Sequence, residues 1–282
     1  MSLVNKTNYK YGLLFTQFLL LAALIIIANT ILTSGDWVHK AVDLSGGTEM
    51  TLRFSGAYDN TLEESILKEF NVRPSISRSA DGGSISLASN NNLNTTNVVA
   101  FLRQNGLQID GEPSVRTIGP ALGSSFWSQA QLAIILGFVL MAVSIYSIYR
   151  SPVPSFAIVF SSASNIIETV AIMNLAGMQL SMGGVAALLM MIGSSVDNNV
   201  VMTTKLLKKG ISSEEFDTTF HSSMITGLTM GATSFAALVA IVLFSPQSVI
   251  TQIASVLIIG SVLDIPNTWL QNSAILRWHL HA

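Results

Sequence analysis

The chain has 282 residues, of which 50% are hydrophobic and 11% charged, with a formal net charge of −2 and a mean hydropathy of +0.54. Soluble domains carry about 25% charged residues, so this is the composition of a polytopic α-helical membrane protein. Its few, scattered basic residues exclude a nucleic-acid-binding stripe, and the lack of cysteine excludes disulfides, thiolate catalysis and Cys-based metal or iron–sulfur sites.

In chain order, the first apolar run covers 11–33 and follows Lys6 and Lys10. It is too long for a removed signal peptide and has no small-residue cleavage site, so it is expected to stay as a signal anchor. The polar stretch 34–128 follows and is expected to form an extracytoplasmic domain. Within it TEMTLRFSG alternates like a strand, TLEESILKEF has helical spacing with a Thr61–Glu64 capping pattern, and VRPSIS reads as extended. SISLAS, TTNVVAFLRQNG and EPSVRTI repeat the set as strand, helix ended by Gly106, and strand. The order β-α-β-β-α-β predicts a ferredoxin-like α+β layer.

Five further runs, near 129–149, 153–176, 181–206, 223–244 and 247–276, are long enough to cross a bilayer and define a five-helix membrane domain over 129–282. With six alternating spans, Lys6, Lys10, Arg150, Lys205, Lys208, Lys209 and Arg277 fall on one side, and the opposite short loops carry no charge. The positive-inside rule therefore puts both termini in the cytoplasm, in a multi-pass protein of the cell membrane whose apolar faces contact lipid. The basic residues of the long external stretch do not count against this, because long segments translocate regardless of charge.

The costliest residue is Asp197, inside GGVAALLMMIGSSVDNNVV. An ionised Asp at mid-bilayer costs roughly 2.5–3.5 kcal/mol on insertion scales, so an ion- or proton-binding role is set against a plain interhelical hydrogen bond. At 1.5 Å per residue, Asp197 lies roughly 24 Å and Asp264 roughly 25 Å from the external ends of spans four and six. Asn165 lies at a similar depth on span three and shares a helix face with Glu168 at i, i+3. Asp197, Asn165 or Glu168, and Asp264 are thus expected to form a hydrated polar path.

Each polar residue also has a plainer reading. Asp264 stands beside Pro266, which frees backbone groups able to engage it, and Asn198, Asn199, Asn267 and Asn272 suit helix-to-helix bonding. His221 reads as a solvated helix terminus, and Gly227 with Gly231 as a close-packing GxxxG pair. No span offers a His base beside a nucleophile or a cluster of metal ligands, so neither an enzyme nor a metal centre is expected.

Two motifs flank the polar stretch: Asp43-Leu44-Ser45-Gly46-Gly47 before its first strand, and Gly119-Pro120-Ala121-Leu122-Gly123 before span two. They read either as turn chemistry or as hinges that carry membrane motion into the domain. Together with Val185–Ser195 of span four, which includes Gly193, they resemble the SecF family of SecD/SecF protein-export proteins in the RND superfamily. The similarity covers nearly the whole chain, and the ending Val262 to Trp269 looks like the archaeal branch.

The resemblance implies a translocation subunit that pairs with SecD and a SecYEG-type channel, acts on exported polypeptides, needs no cofactor and performs no covalent chemistry. It also implies help from the proton gradient. Three departures bear on that. Bacterial relatives typically carry S-I-N-D-T-V-V where this chain has Ser195 to Val201, so the carboxylate stands one residue, about 100° of helix, earlier. Ser164 and Asn165 stand in place of a His-Asp pair, and Ser222 in place of an arginine. Glu168 reads as a coupling group or as part of the packing against SecD. An uncoupled translocon scaffold and a small-molecule RND-type transporter are the alternatives; the second is opposed by the chain's size and by apolar runs with no broken helix.

Overall fold

From Tyr11 to Ser34 the chain carries no charged side chain, and a computed structural model gives one uninterrupted helix there, α1 (Tyr9–Ser34). The structure describes residues 9–55, 61–70, 72, 74–79, 82–89, 95–207, 213–245 and 248–280. Lys6, Lys208 and Lys209, part of the charge asymmetry on which the expected orientation rests, lie outside the described residues, as does the side chain of Thr61.

α1 buries only Thr16, Ala23 and Thr30. These small residues are spaced by seven, a narrow seam that lets the helix lie against a neighbour. Each threonine hydroxyl donates to a carbonyl of its own helix, Thr16 to Leu13 at 3.0 Å and Thr30 to Ile26 at 3.0 Å, so neither is left unpaired in the seam.

The sheet domain follows: α2 (Val42–Ser45), β1 (Gly47–Ser55), α3 (Thr61–Phe70), β2 (Pro74–Ser79), β3 (Gly82–Ser89), α4 (Thr95–Gln104) and β4 (Gln108–Ile118). The four strands lie in the order β2-β3-β1-β4, with every neighbouring pair antiparallel. β1 alternates strictly. Met50, Leu52 and Phe54 are buried with Ile85 and Leu87 of β3 against Leu62 and Ile66 of α3 and Val98 and Leu102 of α4. Glu49, Thr51 and Arg53 take the opposite, polar face. α2, a single turn, is too short to leave a periodic pattern in the sequence.

Five long helices complete the chain: α5 (Pro120–Tyr149), α6 (Pro152–Leu175), α7 (Met182–Leu206), α8 (Ser213–Phe244) and α9 (Ser248–Pro266), the last continuing as a π-helix (Asn267–Asn272) and α10 (Ser273–Leu280). With α1 they give six candidate membrane spans, and the chain is a helical, multi-pass membrane protein.

Two boundaries differ from expectation. α5 begins at Pro120, because proline suits the first helical position and Gly119 sits extended before it; the expected start at 129 follows hydropathy alone. α8 begins at Ser213 and not 223, because the amphipathic opening turns bury Phe216 and Phe220 with Met202, Leu206, Trp269 and Leu276. A third difference concerns span six, expected to be unbroken. Pro266 has no N–H to give its fourth predecessor, and the helix widens into the π segment there.

α6 is the hub, packed by α1, α5, α7, α9, the π-helix and α10. It buries residues on all sides, including Ser161, Ser162, Ser164, Asn165, Glu168 and Thr169. A polar collar ties its C-terminal end, and the start of α7, to the entry of the sheet domain. Ala41 N–H donates to the Leu180 carbonyl at 2.9 Å and Leu180 N–H to the His39 carbonyl at 2.7 Å. Asn174 Nδ2 donates to the Trp37 carbonyl at 3.0 Å, and Trp37 stacks on Trp127 of α5 at 5.2 Å.

Candidate functional site

Polar residues recur at i, i+3 and i+4 along three facing helices: 161, 164, 165 and 168 on α6; 195, 198, 199 and 203 on α7; 264, 267, 268, 271 and 272 on α9 and the π-helix. That spacing gives each helix one polar stripe, and packing turns the three stripes inward. Asp264 sits at their meeting point. Its Oδ1 accepts from Ser195 Oγ at 2.6 Å and Asn165 Nδ2 at 3.3 Å, and its Oδ2 accepts from Asn198 Nδ2 at 2.9 Å. Asp264 is 7% exposed and Asn165 fully buried. A carboxylate taken out of water needs such a set of donors, since a buried charge left without them is prohibitive.

A second carboxylate lies one turn along. Glu168, 3% exposed, accepts from Asn267 Nδ2 at 2.7 Å through Oε2, and the same amide also donates to the Leu263 carbonyl at 3.0 Å. Beyond it Gln271 donates to Ser164 Oγ at 3.0 Å, and Asn272 donates to Asn199 Oδ1 at 2.6 Å. The π turn shifts the register of residues 267–272, and that segment presents Asn267 and Gln271 to α6 and Asn272 to α7. Among the described residues no salt bridge reaches this cluster; the buried Arg277 is held farther down by Asp217 at 2.9 Å and by the face of Phe216 at 5.0 Å.

Asp197 corrects the expected path. It lies at the level of the cluster but on the opposite side of α7, exposed, on a stripe with Met182, Ala186, Met190, Gly193 and Thr204. One residue is about 100° of helix, so the inward place belongs to Asn198. Gly193 shares the exposed stripe, and a Cβ there would meet nothing within 4 Å. The Gly227–Gly231 pair also splits. Gly227 makes room for the Trp269 ring, whereas Gly231 has open space around it. Arg277 reads from sequence as a loop cation but is 1% exposed, and His221 is exposed on α8.

The two glycine motifs, separated in sequence by the whole sheet domain, meet in space. Gly46 and Gly47 have φ of 79° and 129°, a region that favours glycine. A Cβ on Gly46 would lie 2.7 Å from Pro120 Cα, and one on Gly123 would run into the backbone of Ser45 and Gly46. Gly119 supplies the extended residue before the helix. Asp43 of the same motif pairs with Arg116 of β4 at 3.0 Å. Burial first, and then Asp43, raise the pKa of the adjacent Glu49, while Arg116 lowers it. Ser195 and Gln271 of the polar cluster, and the collar residue Asn174, hold positions to which sequence reasoning assigns no role. The i, i+4 repeat of polar residues is the available signal for the first two.

The chain matches the family described as "Protein export membrane protein SecD/SecF, C-terminal" over residues 101–282. It is 36% identical over 266 residues to the protein-export membrane protein SecF of Pyrococcus furiosus, covering 92% of this chain and 87% of that one. To the SecF of Methanocaldococcus jannaschii it is 35% identical over 266 residues, covering 91% and 92%. Its fold is similar to the crystal structure of SecDF, a translocon-associated membrane protein from Thermus, with a TM-score of 0.72 at 19% identity. That match covers 97% of this chain but 38% of the SecDF chain.

Proposed function

Because the chain belongs to the SecD/SecF family of protein-export membrane proteins, we propose that it is the SecF-type auxiliary subunit of a Sec export machine, working with a SecD partner. The sheet domain is a ferredoxin-like unit on the extracytoplasmic side, and both termini are cytoplasmic. The exposed stripe through Asp197 faces SecD, since a carboxylate on a membrane helix is otherwise left in lipid. A SecYEG-type channel and exported chains are the further partners.

One observation carries the mechanistic part: Asp264 draws donors from α6 and α7 onto α9, at 2.6 to 3.3 Å. A change in its charge alters the hydrogen bonds between all three helices at once, which is the condition for biasing two helix arrangements. The gradient of protons acts there, and the Gly46–Gly123 contact passes the movement to the sheet domain. The satisfied bonds of Asp264 favour a second reading, an uncoupled scaffold in which the cluster only holds helices together.

The test is export into vesicles containing the full complex, with and without a proton gradient. Coupling predicts that Asp264→Asn removes the stimulation while assembly with SecD persists. Stimulation equal to that of the unmodified complex refutes it and leaves the scaffold.

A further inference from the structure

The polar face of the sheet roofs a cavity of about 540 Å³ whose other wall is Val249, in the first turn of α9. Its centre is a row across three strands. Arg53 of β1 stands directly opposite Ser84 of β3 and Asp110 of β4, and side chains so paired project from the same face. Ser84 is 4% exposed, yet its Oγ has no hydrogen-bond partner among the described residues. Arg53 is exposed and belongs to none of the salt bridges among the described residues, whereas Arg116 on the rim is held by Asp43 at 3.0 Å. A bulge adds a further carboxylate. Thr51 pairs with Ser114 and Arg53 with Asp110, so Gly111, Glu112 and Pro113 stand opposite Leu52 alone. Gly111 takes a φ of 77° there, and Glu112 lines the cavity.

The cavity lies at the height of lipid headgroups. α5 has 30 residues and measures about 45 Å at 1.5 Å per residue, roughly 15 Å more than a hydrocarbon core. Its opening turns, 120–128, precede the apolar run, and Trp127 stacks there on Trp37, aromatic residues of the kind that mark a membrane–water interface. The sheet, joined to Pro120, therefore stands about one headgroup layer above the hydrocarbon. Beneath it the adjoining ends of α8 and α9 expose the apolar Leu243, Phe244, Val249 and Ile250. A charged roof over an apolar floor matches a lipid, headgroup above and acyl chains below. Charge then selects the headgroup. Arg53 and Arg116 are set against Glu49, Asp110 and Glu112, so a purely anionic headgroup meets as much repulsion as attraction. A phosphate that carries an ammonium satisfies both signs: its oxygens accept from a guanidinium and a hydroxyl, and its N–H groups donate to carboxylates.

We propose that this cavity binds the headgroup of a zwitterionic phospholipid with a primary ammonium, the phosphate on Arg53 and Ser84 and the ammonium on Asp110 and Glu112. A lipid held there fastens the sheet domain to the first turn of α9. The binding needs only that the helices cross a bilayer, so its failure leaves the export and coupling readings untouched.

The test uses the full chain, delipidated in detergent, and follows thermal unfolding as phosphatidylethanolamine, phosphatidylcholine or phosphatidylglycerol with matched acyl chains is titrated in. Saturable stabilisation, greatest for phosphatidylethanolamine, is the expected result. Arg53→Gln weakens the apparent affinity by on the order of tenfold or more, whereas Asp197→Asn leaves it unchanged. Ser84→Ala removes a hydroxyl that has no partner without lipid. It leaves the lipid-free chain at least as stable while weakening the lipid response, a combination that a merely structural serine does not give. Asp110→Asn with Glu112→Gln brings phosphatidylethanolamine down to the level of phosphatidylcholine. An equal response of the unmodified chain to all three lipids overturns the proposal, as does full affinity in Arg53→Gln or a surviving ethanolamine preference in the double variant. Stabilisation by an unfolded polypeptide, with none by any lipid, also overturns it and gives the cavity to an extended chain.

Discussion

Gly123→Ala probes the joint between the sheet domain and the membrane helices. Alanine is normally the better helix residue, by about 1 kcal/mol, so an open helical glycine gains from this change. Gly193 on α7 is such a site, with nothing within 4 Å of an added Cβ. At Gly123 the new methyl lies 2.9 Å from Ser45 C and 3.1 Å from Gly46 Cα, and still closer to Gly46 N. These are backbone atoms and cannot rotate away, so α2 must move off α5.

Overpacking of this kind costs about 1–3 kcal/mol, enough to outweigh the helix gain. Gly46→Ala meets the Pro120 backbone as well and adds roughly 1–3 kcal/mol for a positive φ that only glycine adopts freely. Thermal unfolding of the purified chain should therefore rank Gly193→Ala at or above the parent, Gly123→Ala below it and Gly46→Ala lowest. Protease accessibility of the 36–46 segment should rise in the last two. If Gly123→Ala is stabilised as much as Gly193→Ala, the tight backbone contact is wrong.

Further substitutions test the helix face and the sheet domain. Asn198→Leu leaves Asp264 Oδ2 without its donor and should cost about 1–3 kcal/mol, while Asp197→Leu, one residue away but exposed, should not destabilise the isolated chain; the opposite ranking in thermal unfolding would reverse the assigned helix face. Glu49 has a raised pKa in the fold, so the folded domain holds its proton to higher pH than the unfolded chain does. Stability from this group is accordingly lost as pH rises from the ordinary glutamate value, about 4.3, through the folded one. Glu49→Gln should flatten that part of the pH–stability curve, and an unchanged curve would count against the desolvation of Glu49 beside the charge of Asp43.

The six spans and the strand–helix order were legible in the sequence because each rests on a local pattern: a long apolar run, a period of two, or a period of 3.6. Asp264 and Glu168 also stood out, because a carboxylate in an apolar run is costly wherever the helix faces. Facing itself was not legible. Asp197 and Asn198 are adjacent in sequence, yet only packing decides which of two side chains about 100° apart meets Asp264. The contact between Gly46 and Gly123 likewise depends on the whole sheet domain folding back on its own entry. The widening at Asn267–Asn272 follows from Pro266 together with the amides that α6 and α7 engage. Sequence alone thus determined which segments enter the membrane and which polar residues they carry there. Tertiary structure decided which of those residues meet, because burial is a property of a helix face, and a face is assigned only by its neighbours.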